Sequence, residues 1–321
     1  MKSLLEAMSK CRIVVVGDII LDHYIWGDTQ RVSPEAPVLV VDVSKDSYRA
    51  GGAANVALNI RSLGGYAALC GCVGRDAAAE SLCGILSEAG VGFSDSFTRA
   101  GTSTMVKTRV MVRNQQLCRL DRTGLPSEYS IQEPELIELI FDLIAQSDGV
   151  ILSDYAKGVL CQSSADRLLE YARKVGKFVA YDPKPRRGML PREMNLMTPN
   201  RAESLQLAGI ALEPGEAFPE KEVCKIIWEK YRPEHLVITL GSEGMLLSKE
   251  GNCVRKIPTY AREVFDVSGA GDTVIASLTL AMASGASLEE AAHLANTAAG
   301  VVVGKIGTAT ATPEEILEYH P

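Results

Sequence analysis

EVFDVSGAGDTVIASLTLAMASG, residues 263–285, sets two glycines, an alanine and an aspartate at the mouth of a long apolar helix. A helix N-terminus offers unpaired backbone N–H groups and a partial positive charge, and small residues let an anion approach that backbone closely. The N–H groups of Gly269, Ala270 and Gly271 therefore read as a cradle for an anionic group. Asp272, in the first helical turn, is either a capping acid or a base aimed at whatever lies beside the bound anion. The rest of the chain has to decide between the two.

Upstream of that helix, RIVVVGD (12–18), DGVILSD (148–154), KFVAYDP (177–183) and HLVITLG (235–241) are near-continuous apolar runs ending in Gly or Asp. Strands buried on both faces have this pattern. Helical stretches are expected at 52–63, 76–89, 132–146, 162–175, 217–230, 270–284 and 287–303. The alternation predicts an α/β fold, an open and mostly parallel sheet with helices on both faces. Ligands of such sheets bind beyond the carboxyl ends of the strands, where these Asp and Gly residues collect.

Two segments break the alternation. PVLVVDVSK (37–45) and STMVKTRVMVRNQQLCRLD (103–121) have period-2 patterning, the second as a hairpin around Asn114, Gln115 and Gln116. They predict a small antiparallel β lid formed by segments 37–48 and 103–122. A lid can close over a substrate and exclude water, or its edge can pair with a second copy. With no repeat, low-complexity tract or linker in view, residues 1–321 are expected to form one domain carrying this lid.

The net charge of −7 excludes a general nucleic-acid binder, because no overall positive field collects phosphate backbones. The N-terminus lacks a secretory signal, and no run reaches the roughly 18 to 20 apolar residues of a membrane span. A cytoplasmic location is expected. The eight cysteines are scattered and mostly set in apolar runs, as reduced core thiols are.

A second glycine cluster, YRAGGAANVALNIRSLGG (48–65), places Gly51 and Gly52 before a helix with Asn55 and Asn59 on one face. It is either a tight turn feeding a closely packed helix or a site where glycine N–H groups and Asn55 bind the hydroxyls of a polyol. Asp18 and Asp22, flanking the end of the first strand, suit paired hydroxyls. In LMTPNRAES (196–204), Asn200 and Glu203 form a capping box by spacing. The same amide and carboxylate also suit Mg2+ held through waters beside nucleotide phosphates.

DVSGAGDT, AGGAAN and NRAE together resemble the ribokinase-like sugar kinases, over essentially the whole chain. GDIILDHYIWGDTQRVSPEAPV, RNQQLCRLD, LSDYAKG, DPK and TPN extend the resemblance to the heptose-phosphate kinase branch, which occurs as the kinase domain of a bifunctional bacterial enzyme. The resemblance implies an ATP-dependent kinase, with D-glycero-β-D-manno-heptose 7-phosphate as substrate and its 1,7-bisphosphate as product, on the route to ADP-heptose and the lipopolysaccharide inner core. It implies a ribokinase-like fold, ATP and Mg2+ as cofactors, a monovalent cation as a possible third, and a homodimer formed through the lid. The chain ends at ATPEEILEYHP, so a stand-alone kinase is expected, with adenylyl transfer left to another protein.

On this resemblance Asp272 is the base and the 269–271 amides stabilise the transferring phosphoryl group. Mg2+ lies near Asn200 and Glu203. The nucleotide runs along VITLGSEGM, with Thr239, Gly241 and Gly244, and borders Asn296 and Gly307. At Gly241 the sequence departs from many relatives of that branch, which carry Arg there. A substrate that already bears a phosphate needs cations, and Lys107, Arg109, Arg113, Arg119, Lys157 and Lys184 are the candidates, the last two favoured because they follow buried strands. The competing readings are a kinase of another sugar or nucleoside, a non-catalytic sensor of nucleotide or sugar phosphate, and a dinucleotide dehydrogenase. The last is weak, because VVVGDIILD lacks the glycine fingerprint.

Overall fold

The computed structural model describes residues 1–113 and 115–319. Helix α1 (Lys2–Met8) leads into strand β1 (Arg12–Gly17), in which Ile13 and Val15 enter one apolar core while Val14 and Val16 enter another. That double burial is what the continuous apolar run requires. There follow β2 (Ile19–Val32), β3 (Leu39–Gly52), α2 (Ala53–Ser62), β4 (Tyr66–Cys70), β5 (Val73–Gly74), α3 (Ala77–Glu88), β6 (Gly92–Phe93), β7 (Thr98–Arg99), β8 (Met105–Val112) and β9 (Gln115–Arg122). The second half runs through α4 (Pro134–Ala145), β10 (Gly149–Ser153), α5 (Gln162–Lys174), β11 (Phe178–Asp182), β12 (Leu196–Met197), α6 (Arg201–Ala208) and α7 (Glu220–Tyr231). It ends with β13 (His235–Thr239), β14 (Met245–Lys249), β15 (Asn252–Ile257), α8 (Ala270–Ala283), α9 (Leu288–Val303) and α10 (Pro313–Tyr319).

The main sheet has nine strands in the order β15-β14-β13-β12-β11-β10-β1-β4-β6. It is parallel from β6 to β13, and only the β13–β14 and β14–β15 pairings at one edge are antiparallel. One core packs α2, α8 and α9 on the sheet through residues such as Ile60, Leu278 and Leu294. The other packs α4, α5 and α7 through Ile140, Leu168 and Ile227. The seven expected helices are present with their ends moved by no more than a few residues, as fraying termini allow.

The lid differs from its expected form. It is a four-stranded sheet in the order β3-β2-β8-β9, in which β2 and β8 run parallel, so it is mixed rather than wholly antiparallel. Strand β2 continues out of the main fold without a turn, and its segment 19–32 lies outside the lid ranges read from the sequence. Asn114, one of the expected hairpin residues, is outside the described residues. Gln115 and Gln116 already belong to β9, opposite Val112 and Met111. Because strand side chains alternate, Asp22, Tyr24, Arg49, Lys107 and Arg109 share one face of this sheet: Asp22 is registered on both Arg49 and Lys107, and Tyr24 on Arg109.

Candidate active site

Helix α8 begins at Gly269, whose left-handed φ of 79° turns the chain into the helix. A Cβ there would lie 2.6 Å from Asn55 Nδ2, so the position requires glycine on space as well as on torsion. The amides of Gly269, Gly271 and Asp272 find no acceptor among the described residues, and the space over Gly271 is open. The Ala270 amide behaves otherwise. It donates to Val267 O at 3.2 Å, which takes it out of the expected cradle and replaces it there with the Asp272 amide.

Asp272 is buried. Asn55 Nδ2 donates to its Oδ2 at 2.7 Å, and the Tyr155 hydroxyl donates to its Oδ1. Burial pushes its pKa up to about 6, against the pull of those two hydrogen bonds and of the nearby Lys107. Burial and the Asp272 charge in turn hold the Tyr155 hydroxyl well above its ordinary range, so it stays a donor. Asn55 is fixed because Asn59 Nδ2 donates to its carbonyl at 2.9 Å, while Thr273 Oγ1 donates to Asn59 Oδ1 at 2.8 Å. Helices α2 and α8 are thereby locked together beneath the Asp272 carboxylate.

The residues expected to bind sugar hydroxyls divide. Asp18 is fully buried, and its oxygens accept the amides of Tyr155 and Lys157, both at 2.9 Å, and of Val159 at 3.0 Å. Its acceptor capacity is spent on holding the loop that carries Tyr155. Asp22 faces the cleft from the lid, paired with Arg109 at 2.6 Å. A Cβ on Gly51 would lie 2.5 Å from Asp22 Oδ2, and one on Gly52, which has φ 59°, would lie 2.4 Å from Asp18 O. Both glycines therefore admit a close carboxylate or carbonyl. Lys107 sits with its Nζ 5.6 Å from the centre of the Tyr155 ring, and burial lowers its pKa.

Arg113 and Arg119 are neutralised locally, by Asp28 at 2.9 Å and Asp121 at 2.8 Å. Lys184 Nζ pairs with Glu203 Oε1 at 3.1 Å. The side chain of Lys157 has no hydrogen-bond or ion-pair partner among the described residues.

Beside the α8 mouth opens a largely apolar cavity of about 420 Å³. Thr239, Gly241, Gly244 and Asn296 line it with Met245, Val274 and Val303, and Ala270 and Gly271 form its rim. An apolar slot ending at open helix amides suits a nucleotide, with its base in the slot and its phosphates at the rim. Gly307 does not line that cavity. Its amide donates to Asp266 Oδ2 at 2.9 Å, and it packs against Arg49 instead.

Asn200 and Glu203 form the reciprocal capping box, at 2.9 and 3.0 Å, and Asn200 bridges Thr239 on the cavity wall. Among the described residues no cluster of three or more His, Cys, Asp or Glu can enclose a metal ion. The acids present instead suit Mg2+, which keeps waters and takes its other ligands from phosphates. Asp182, which the sequence reading passed over, strengthens the fit. Among the described residues its side chain accepts only the Thr198 hydroxyl at 3.2 Å, and burial together with the charges of Asp272 and Glu203 drives its pKa well up. A divalent cation would relieve that crowding.

Tyr155 is the other functional group the sequence reading missed. Its signal was present: a hydroxyl-bearing ring just past the end of a buried strand. The Asp272 geometry gives a first prediction. Loss of the base to protonation should make kcat/KM fall about tenfold per pH unit below an inflection near 6, and Tyr155→Phe should move that inflection upward by removing a bond that favours the carboxylate. A pH profile with its inflection near 4, or one that Tyr155→Phe leaves in place, contradicts the assignment.

An open-amide helix mouth, a buried carboxylate held by two donors, a nucleotide-sized slot and a lid are the parts of an enzyme that moves a phosphoryl group onto a hydroxyl. The chain belongs to the pfkB family of carbohydrate kinases, whose family model matches residues 10–315. It is 40% identical over 316 residues to the bifunctional protein HldE of Wolinella succinogenes, covering 98% of this chain and 66% of that protein. It is 45% identical over 307 residues to bifunctional protein HldE of Halorhodospira halophila, covering 95% of this chain and 62% of that protein. The chain thus spans a little under two thirds of these relatives. Its fold matches the structure of Arabidopsis thaliana ribokinase complexed with ribose and ATP, with a TM-score of 0.75, 20% identity, and coverage of 97% of this chain and 98% of that one.

Proposed function

We propose that the chain phosphorylates the anomeric hydroxyl of D-glycero-β-D-manno-heptose 7-phosphate at the expense of ATP, giving the 1,7-bisphosphate used in ADP-heptose and lipopolysaccharide inner-core synthesis. The observation that carries the kinase chemistry is the buried Asp272 carboxylate, gripped by Asn55 and Tyr155 beside free helix amides. The choice of heptose phosphate rests on the motif resemblance and on identity to the HldE proteins across nearly the whole chain. In this reading Asp272 accepts the proton of the attacking hydroxyl, a contribution on the order of 10²- to 10⁴-fold. The amides of Gly269, Gly271 and Asp272 stabilise charge on the transferring group. MgATP supplies the phosphoryl group, with Asn200, Glu203 and Asp182 toward the metal and the slot of Thr239, Gly244 and Asn296 toward the nucleotide. Asp22, Arg109 and Lys107 close over the acceptor from the lid.

An assay of ADP release over phosphorylated and free sugars tests the reading. Turnover should be highest with the heptose 7-phosphate, and turnover with a free pentose or hexose at equal efficiency would return the protein to general sugar kinases.

Cytoplasmic placement belongs to the same reading, supported by eight free thiols. No helix among the described residues is long and apolar enough to cross a membrane. A homodimer through the lid is also part of it. Val32, Leu39, Val43 and Leu120 on the lid strands are each more than half exposed, an apolar surface that a second lid would cover. Light scattering at micromolar concentration should give twice the chain mass of 34.5 kDa, and a monomer mass would rule the lid dimer out.

A further inference from the structure

Arg49 lies on the cleft face of the lid, opposite Asp22, yet its guanidinium reaches past the cleft. Its Nη1 donates to Ile306 O and to Thr308 O, both at 2.8 Å. These carbonyls belong to the loop after α9. Between them Gly307 takes a left-handed φ of 72°, and a Cβ there would sit 3.1 Å from Arg49 Nη1, so the loop is shaped around the guanidinium.

The loop is tied to the helix mouth twice. Gly307 N–H donates to Asp266 Oδ2 at 2.9 Å, and Asp266 Oδ1 accepts the amide of Ser268, the residue before Gly269, at 2.9 Å. Thr308 packs against Gly269 directly, with its Cγ2 3.3 Å from where a Cβ on that glycine would stand. On the lid side, the Arg49 and Arg109 guanidiniums lie 5.9 and 5.2 Å from the centre of the Tyr24 ring, and Arg109 holds Asp22. A continuous set of contacts therefore runs from the acceptor face of the lid, through Arg49 and residues 306–308, to the amides at the start of α8.

We propose that Arg49 is a positioning residue that couples the lid to the anion cradle, setting the direction of the Gly269, Gly271 and Asp272 amides through the 306–308 loop and Asp266. It touches neither the base nor the nucleotide slot. The proposal rests on the reading of the α8 mouth as the phosphoryl site, but not on which sugar is the acceptor. Misdirected cradle donors penalise the transition state more than the bound ground states, so the loss should appear in kcat.

The test compares the full-length parent with Arg49→Ala and Arg49→Lys. In Arg49→Ala, kcat should fall about 10- to 100-fold, while KM for ATP and for the acceptor stays within about threefold. Added guanidinium ion at non-denaturing concentration should restore part of kcat, and urea at equal concentration should not. Arg49→Lys, which cannot bond both carbonyls in the same planar geometry, should recover only part of the loss. Hydrogen exchange provides a readout independent of turnover: the amides of 266–272 and 304–309 should exchange faster in Arg49→Ala, with the main sheet unchanged. Unaltered exchange in those segments overturns the coupling whether or not the kinase reading holds. A rise confined to the acceptor KM also overturns it, and makes Arg49 a substrate ligand. Inactivity of the parent on every sugar, with faster exchange in Arg49→Ala, would fault the function and leave the coupling supported.

Discussion

Asp272→Asn removes most turnover while leaving nucleotide binding in place. The substitution keeps size and shape and deletes the carboxylate proposed to take the acceptor proton, so kcat should drop on the order of 10²- to 10⁴-fold. Stability should respond in the opposite direction. The folded-state pKa of about 6 lies above the ordinary 3.8, so the native state binds the proton more tightly than the unfolded chain does. Stability from this group is fully present below about pH 4, is lost as pH rises through the folded value, and above it the buried carboxylate costs roughly 3 kcal/mol, about two pKa units. An amide carries no such cost at pH 8, although its NH2 must find an acceptor where Asn55 or Tyr155 now donates. The variant should therefore melt no lower than the parent at pH 8, with any advantage shrinking toward pH 5. Turnover within about threefold of the parent would remove Asp272 from the chemistry. A lower melting temperature together with lost ATP binding would show that the carboxylate is structural.

The parts legible in the sequence were those written locally. The Gly-rich mouth of α8, the buried strands β1, β10, β11 and β13, and the helices between them each announce themselves within a dozen residues through period and composition. Strand β2 did not, and the reason is visible in its register. A bulge at Gln30, between Thr29 and Arg31, breaks the alternation near the end of ILDHYIWGDTQRV, a second bulge opposite Trp26 and Gly27 falls in β3 at Ser44, and the parallel partner β8 is remote in sequence. Asp18 shows a different limit. As a carboxylate at a strand end it looked like a ligand for hydroxyls, and nothing local reveals that three amides from residues 155 to 159 fill it. Those amides in turn explain Tyr155, because the loop that Asp18 holds delivers the hydroxyl to Asp272. The identity of a site residue was readable, whereas the partner that takes up its hydrogen-bonding capacity was not.

The same distinction separates the two lysines that the sequence ranked together for the phosphate of the acceptor. Lys184 follows β11, but its charge is engaged by Glu203, whose other oxygen caps α6, which in the proposed reading puts it toward the metal and the nucleotide. Lys157 follows β10, two residues after Tyr155, and its backbone is pinned through the Asp18 carboxylate. Its side chain is half-buried and has no anionic partner among the described residues. An ammonium without a counter-charge remains available to an anionic ligand. If that ligand is the phosphate of the sugar, Lys157→Met removes a charge-assisted contact of about 1.5 to 3 kcal/mol and raises the acceptor KM roughly 10- to 150-fold. The KM for ATP should not move, since the proposed reading places its phosphates at the α8 amides. Lys184→Met should give the complementary result, an altered Mg2+ requirement with the acceptor KM spared. With the lid closed over the acceptor as proposed, added salt should weaken acceptor binding less than it would at an open surface site. An unchanged acceptor KM in Lys157→Met, or an equal rise in both KM values, would move the phosphate to the lid. There Lys107, close enough to Asp272 to influence its charge, becomes the leading cation.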